Sequence, residues 1–148
     1  METFRGNGPE NEESFEFAVS LIASLAIKAS REKLPIGFMA NGVPEIQIPV
    51  SSGQDQVLLL LEALARIKAE TRLPLRVQLD QQRRFLPMGT RLVLLTRSWS
   101  SYTADMIAGL KRQGVSLFPL IVGREMREHP PQGGAVIRPW MGKGEPAI

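Results

Sequence analysis

The chain has 148 residues, a length that suits one domain, and its 43% hydrophobic and 22% charged residues are typical of a folded protein rather than a disordered one. Its 18 basic and 15 acidic residues leave a net charge of +3 without a basic stripe, which argues against nucleic-acid binding. Cysteine is absent, which excludes disulfides, thiolate metal sites and cysteine nucleophiles, and no apolar run is long enough to span a membrane. Together these features predict a cytoplasmic domain.

The N-terminal half begins with a predicted helix over 11–31, in which glutamates occupy the first turn and apolar residues recur at helical spacing. A short strand at 36–40, a turn at 41–42 and an alternating strand at 45–50 then predict an antiparallel hairpin. Because Pro49 has no N–H to donate, the second strand of this hairpin is expected at a sheet edge.

A second helix is predicted over 54–69, with Ser51 or Ser52 as its N-cap. Leu58 and Leu59 make its apolar face wider than one helical stripe. We expect both leucines to belong to the core, and the alternative is a partner that covers them.

Residues 91–96 form a continuous apolar run, RLVLLT, which is typical of a parallel strand covered on both faces. A helix is predicted over 101–113, with Gly114 as its left-handed cap, and a second strand over 116–122. This order predicts a right-handed parallel crossover. Its loop at 97–100 follows the carboxyl end of the first strand, where such sheets usually bind ligands.

The remaining predicted elements are a helix over 74–85 and a short final strand at 135–138. Pro119 is expected to place its strand near a sheet edge. The order of elements predicts an α/β, Rossmann-like fold: a mostly parallel twisted sheet with one antiparallel edge strand and helices on both faces. We predict one domain over 1–123 and a C-terminal extension over 124–148.

Four longer segments share their order and spacing with a known family. They are SFEFAVSLIASLA at 14–26, LLLLEALARI at 58–67, GTRLVLLT at 89–96 and GLKRQGVSLFPLIVG at 109–123. In these segments the chain resembles the C-terminal half of a bacterial family catalogued as domain of unknown function fifty-eight, which is related to the von Willebrand factor A-type domain.

The resemblance implies that the central first strand is missing and that Met1 is an internal residue of a longer protein. We expect the unfilled position in the sheet to favour homo-oligomers, because an open sheet edge can pair with another chain. The resemblance further implies a membrane-anchored full-length protein with this domain in the cytoplasm. The partner it implies is an AAA-type ATPase of the MoxR class.

Classical A-type domains hold a divalent metal ion with side-chain oxygens of Asp, Ser and Thr. The resemblance implies that the metal-ligand positions of these domains fall on Glu2, Phe4, Gly6, Thr71, Arg97 and Ser98 in this chain. Most of these residues differ from the Asp, Ser and Thr ligands of the family. Two anionic ligands are lost and Arg97 adds a cation, so we expect a degenerate site that holds neither metal nor other cofactor. The alternative is a divalent-metal-dependent adhesion-type domain that uses Thr71, Ser98 and water.

The sequence offers little for catalysis. The turn Gly6-Asn7-Gly8 does not continue into a dinucleotide-binding G-x-G-x-x-G pattern, since Asn11 occupies the third glycine position. The only histidine, His129, precedes two prolines, and spacing identifies neither a nucleophile nor an orienting acid for it. We expect no catalytic residues, and a small hydrolase using His129 is the alternative from another class.

Binding to another protein is the function that remains. Arg97 and Trp99 are residue types enriched in interface hot spots, and they lie in the loop at the predicted ligand end of the sheet. The alternative for Trp99 is a side chain folded back onto its own domain. We therefore expect a non-enzymatic protein-interaction domain of a membrane-associated assembly factor that works with a MoxR-class ATPase, with Arg97 and Trp99 in the contact.

Overall fold

A computed structural model describes residues 9–41, 45–69, 75–96, 101–122 and 135–137. The helices are α1 (Pro9–Arg31), α2 (Gln54–Arg66), α3 (Leu75–Gln82), continued by a 3₁₀ turn (Arg83–Phe85), and α4 (Ser101–Arg112). The strands are β1 (Ile36–Ala40), β2 (Ile46–Ser51), β3 (Arg91–Thr96), β4 (Ser116–Val122) and β5 (Ala135–Ile137). They form two compact units: α1, β1, β2 and α2 belong to the first, and the remaining elements to the second.

The first unit is built on the predicted antiparallel hairpin. Phe38 pairs with Ile48, and Ala40 pairs with Ile46. From Ile46 to Pro49 the side chains of β2 alternate between buried and exposed, as the period of two along a strand requires, but Val50, next on the buried side, is 59% exposed. The core formed by the hairpin and the two helices contains Ala26, Ile46, Ile48, Leu60 and Leu64.

The N-terminus of α2 differs from the prediction. Ser51 is the last residue of β2, and the N-cap is Gly53, which makes no side-chain cap hydrogen bond. The φ of Gly53 is +105°, a conformation that residues with a Cβ rarely adopt. The chain therefore turns from strand to helix through a glycine, and the two predicted serine caps are wrong.

Gln56, in the first turn of α2, ties the helix to both strands. Its side-chain amide nitrogen donates to the carbonyl oxygens of Ile36 and Pro49, each at 2.7 Å. The side chain is buried, so these bonds replace the water that its amide group would otherwise bind. One residue thereby fixes the distance from α2 to β1 and to β2.

We expect Gln56→Ala to lower the free energy of unfolding by about 1–3 kcal/mol, because it leaves two strand carbonyls without a donor. Chemical denaturation measures the change. Gln54→Ala is the matched control: Gln54 is exposed on the same helix, and its substitution should change stability by less than about 0.5 kcal/mol. Equal effects for the two variants would show that the amide does not hold the hairpin.

The second unit contains a three-stranded parallel sheet of order β3-β4-β5. A parallel crossover is present, since β3 and β4 are parallel and α4 lies between them in the chain, and its right hand stays a prediction. Gly114 has a φ of +77° after the last turn of α4, as predicted. The N–H of Val115 donates to the carbonyl of Leu110 at 3.1 Å and closes the helix end.

Pro119 does not place β4 at an edge, since β4 is the middle strand. The N–H of Ser116 donates to the carbonyl of Thr90, at the start of β3. In a parallel strand the backbone groups of successive residues point alternately to the two neighbouring strands. Ser116 therefore points to β3, and Pro119, three positions later, points to β5. Among the described residues, pairing with β5 begins at Leu120. The missing N–H of Pro119 therefore falls just before the described part of that ladder.

The described strands thus form two sheets, one antiparallel and one parallel, where a single sheet was expected. The α/β class is confirmed, and so is the presence of both strand directions. A continuous Rossmann-like sheet stays a prediction, because among the described strands β1 pairs only with β2 and β3 only with β4. The domain boundaries at 1–123 and 124–148 also stay predictions.

Candidate interaction surfaces

The two faces of the parallel sheet differ in burial. On one face Leu94, Thr96, Pro119 and Ile121 are buried. On the other, Val93 and Phe118 are directly paired in the register, and each is 46% exposed. We call this pair the open sheet face. Since both faces of a parallel sheet are normally covered, an exposed apolar pair in the middle of the ladder is unusual.

The open sheet face is bounded along the strands. Toward the carboxyl ends, the next pair is Leu95, which is half-buried, and Leu120, which is buried. Toward the amino ends, Arg91 and Ser116 are paired and both exposed. The exposed apolar area is thus narrow, with polar groups on one side and packed side chains on the other, as at the centre of a small protein contact.

Two buried threonines lie at the carboxyl end of β3 and at the start of α4. Thr96 ends β3, Thr103 lies in the first turn of α4, and both are 0% exposed. They flank the predicted ligand loop at 97–100, which lies outside the described residues. Both threonines therefore belong to the packed part of the second unit.

A second apolar surface lies on α2, in the first unit. Leu58 is 58% exposed and Leu59 is 50% exposed, whereas Leu60 and Leu64 on the same helix are buried. The expectation that Leu58 and Leu59 belong to the core is therefore wrong. Their helical positions turn them away from the hairpin, which takes the side of α2 that carries Leu60 and Leu64.

The site residues named from the sequence lie outside the described part of the chain. They are Glu2, Phe4, Gly6, Thr71, Arg97, Ser98, Trp99 and His129. The structure therefore neither brings them together nor separates them, and the degenerate metal site, the contact loop and the histidine alternative all stay predictions.

Within the described ranges, no three His, Cys, Asp or Glu side chains are grouped closely enough to hold a metal ion. The ion pairs found there include the contacts of Asp80 with Arg76 at 3.8 Å and with Arg83 at 3.9 Å. All three side chains are at least half exposed, so these pairs contribute little to stability.

None of the helices that the structure describes is long and apolar enough to cross a membrane.

Val93 and Phe118 were not singled out from the sequence. Both stand in continuous apolar runs, and such a run does not reveal which face of a strand is covered. The signal that could have identified them is the periodicity of two. Arg91 shares a face with Val93, and Ser116 shares a face with Phe118, so each run begins with a polar residue on the side that proves to be exposed.

Comparison with protein-family models, with curated proteins and with solved structures finds no significant match. The resemblance to the domain of unknown function fifty-eight family therefore stays a prediction, as do the partner and the membrane anchor that it implies.

Proposed function

We propose that this chain is a non-enzymatic protein-interaction domain and that the open sheet face of Val93 and Phe118 is part of its binding surface. The observation that carries the proposal is the exposure of this directly paired apolar couple on a parallel sheet. Aromatic side chains are enriched among the residues that dominate binding energy, and Phe118 is the aromatic member of the pair.

The partner follows from the family resemblance. We propose that it is an AAA-type ATPase of the MoxR class, and that the domain acts on the cytoplasmic side of a membrane-associated assembly factor. Arg97 and Trp99 are proposed to extend the contact, because their loop follows β3, the strand that carries Val93. The unfilled sheet position predicted from the family is proposed as a separate route to self-association.

The test is a titration of the purified chain against a purified MoxR-class ATPase of the same organism, with binding measured by surface plasmon resonance. We expect Phe118→Ser to weaken binding about 30-fold, which corresponds to about 2 kcal/mol, the usual threshold for a hot spot. Phe85→Ser is the matched control, because Phe85 is 72% exposed in the same unit but lies in the 3₁₀ turn.

The control variant should bind as the unchanged protein does. Equal weakening by Phe118→Ser and Phe85→Ser would point to a general loss of apolar surface and would remove the open sheet face from the proposal. No binding by the unchanged protein at about 100 μM would reject the ATPase as the partner, since specific contacts of standard size bind far more tightly.

A further inference from the structure

The two most exposed large apolar side chains among the described residues lie close together in the chain. Phe85 is 72% exposed and Met88 is 85% exposed, and both belong to the segment that joins α3 to β3. This segment ends in a tight turn, in which the N–H of Thr90 donates to the carbonyl of Pro87 at 3.1 Å. At such exposure the two side chains project from the surface and do not line a groove. We call Phe85 and Met88 the apolar tip.

The carboxyl end of α4 leads to the same place. The N–H of Gly89 donates to the carbonyl of Gly114 at 2.9 Å. Met88 lies against Gly114, where an added Cβ would be 2.7 Å from the Cγ of Met88. In the register, Arg91 at the start of β3 pairs with Ser116 at the start of β4. The segments that lead into β3 and β4 therefore meet at the amino end of the parallel sheet.

Five exposed cations lie at this end of the second unit, and we call them the basic end. They are Arg83, Arg84, Arg91, Lys111 and Arg112. The carboxylates in the described part of this unit are Asp80, one turn before Arg83, and Asp105, in the first half of α4. The basic residues are scattered along the sequence and the net charge of the chain is only +3, yet the fold brings five cations to one end.

The contacts of these arginines within the chain leave their charges accessible. Arg83 lies 3.9 Å from Asp80, and because these side chains are 50% and 52% exposed the pair contributes little. The guanidinium of Arg84 lies over the ring of Phe85, 5.9 Å from its centroid. This contact keeps a cation beside an apolar side chain, so that the cation can meet a phosphate group while the ring enters an apolar layer.

We propose that the basic end and the apolar tip together bind the surface of a membrane that contains anionic lipids. The negative surface potential of such a membrane attracts basic residues, and the apolar side chains among them enter the boundary between headgroups and acyl chains. A bilayer accepts a projecting apolar side chain without a matching pocket, which a protein partner would have to supply. The proposal goes beyond the ATPase contact, which rests on the open sheet face.

Helix dipoles explain only part of this arrangement. Both α3 and α4 end here, and the dipole favours basic residues at the carboxyl end of a helix. The dipoles give no reason for two large apolar side chains to be exposed among those cations. A nucleic acid would also attract the basic end, but its bases stack on aromatic rings and have no use for the exposed Met88. The apolar tip therefore favours a lipid surface over other polyanions.

The test is sedimentation of the purified chain with vesicles of phosphatidylcholine, either alone or with about 30% phosphatidylserine. We expect half of the protein to bind the anionic vesicles at about 1 mM lipid, and binding to the neutral vesicles to be at least about tenfold weaker. Circular dichroism checks the folding of every variant. No binding to the anionic vesicles at about 10 mM lipid would overturn the proposal, as would equal binding to both kinds of vesicle.

The variant R83Q/R84Q tests the basic end. It should weaken binding to the anionic vesicles about 30-fold, because each basic residue near the surface contributes roughly a factor of five. The matched control is K28Q/R31Q, which removes two exposed cations from α1 in the first unit. We expect this control to weaken binding less than about threefold. Equal weakening by the two variants would mean that only the net charge matters, which would contradict the proposed site.

The variant F85S/M88S tests the apolar tip. It should weaken binding to the anionic vesicles at least about tenfold, because the buried apolar area is lost. L58S/L59S removes two exposed apolar side chains from α2 and should leave binding unchanged. Tighter binding to a DNA duplex of about 20 base pairs than to the vesicles, unaffected by F85S/M88S, would assign the basic end to nucleic acid and reject the membrane.

A second measurement reports insertion directly. Because the chain has no cysteine, Met88→Cys introduces a single thiol that can carry a nitrobenzoxadiazole fluorophore. We expect its emission to increase and shift to shorter wavelength on the anionic vesicles, as the fluorophore leaves water. Leu58→Cys with the same label is the control and should not respond. Unchanged emission from position 88 on vesicles that sediment with the protein would contradict the proposal. No ATPase is present, so a failure here leaves the proposed function untouched.

Discussion

Leu60→Ala should lower the free energy of unfolding by about 3 kcal/mol, the typical cost of removing a fully buried leucine side chain. Leu60 is 0% exposed and belongs to the core between the hairpin and the two helices of the first unit. The loss has two parts, the apolar surface returned to water and the cavity left behind. Urea denaturation, monitored by circular dichroism, measures the change in the free energy of unfolding.

Leu58→Ala is the matched control for this prediction. It makes the same substitution two positions earlier on α2, where the side chain is 58% exposed. We expect a change of less than about 0.5 kcal/mol. If Leu58→Ala costs as much as Leu60→Ala, then Leu58 also packs in the core, and the side of α2 that carries it is not an exposed apolar surface.

Gly37→Ala should destabilise the protein by about 2 kcal/mol, because β1 has no room for a methyl group at this position. An added Cβ would lie 2.8 Å from the carbonyl oxygen of Ile48 and 3.0 Å from the backbone nitrogen of Val50. Both atoms belong to the backbone of β2, which cannot yield without loss of strand pairing. The register of the hairpin shifts at this point, between Ile36 and Phe38.

Gly109→Ala is expected to act in the opposite direction. Gly109 lies within α4, where the nearest atom to an added Cβ is a side-chain nitrogen of Arg112 at 3.9 Å. Alanine should therefore stabilise the helix by about 0.5–1 kcal/mol. Thermal unfolding of both variants tests the pair, and a higher melting temperature for Gly37→Ala would show that the strands of the hairpin lie farther apart than described.

The sequence predicted most of the local structure, because local structure follows from periodicity and turn chemistry. The hairpin was predicted from the alternation of Ile46 and Ile48, and the end of α4 from Gly114. The bounds of α1, β3 and β4 differ from the predicted ones by two residues or fewer. These signals lie within single elements, so no long-range information was needed.

The predictions that were wrong concern residues whose burial depends on which surfaces of the fold meet. The apolar pattern of one helix or strand does not contain that information. Leu58 and Leu59 are as apolar as Leu60, yet only Leu60 faces the core. Pro119 was expected at an edge because it cannot donate, but the direction of its nitrogen relative to β5 decides whether the loss matters. Burial of particular side chains and the order of strands are therefore properties of the tertiary structure.

Of the candidate binding surface, only the strand before the loop can be compared with the sequence. Arg97 and Trp99 were named for their place after an apolar strand, and β3 is that strand, but the two residues lie outside the described part of the chain and stay a prediction. The open sheet face was missed, because Val93 and Phe118 look like ordinary core residues in sequence. Its detection required the register that sets them side by side.

The most direct test of the proposed binding surface is chemical-shift mapping of the labelled chain during titration with the MoxR-class ATPase. We expect the largest shifts at the methyl groups of Val93 and the ring of Phe118, while Leu58 and Leu59 on α2 stay unchanged. Shifts confined to α2, with the open sheet face unaffected, would contradict the proposed surface.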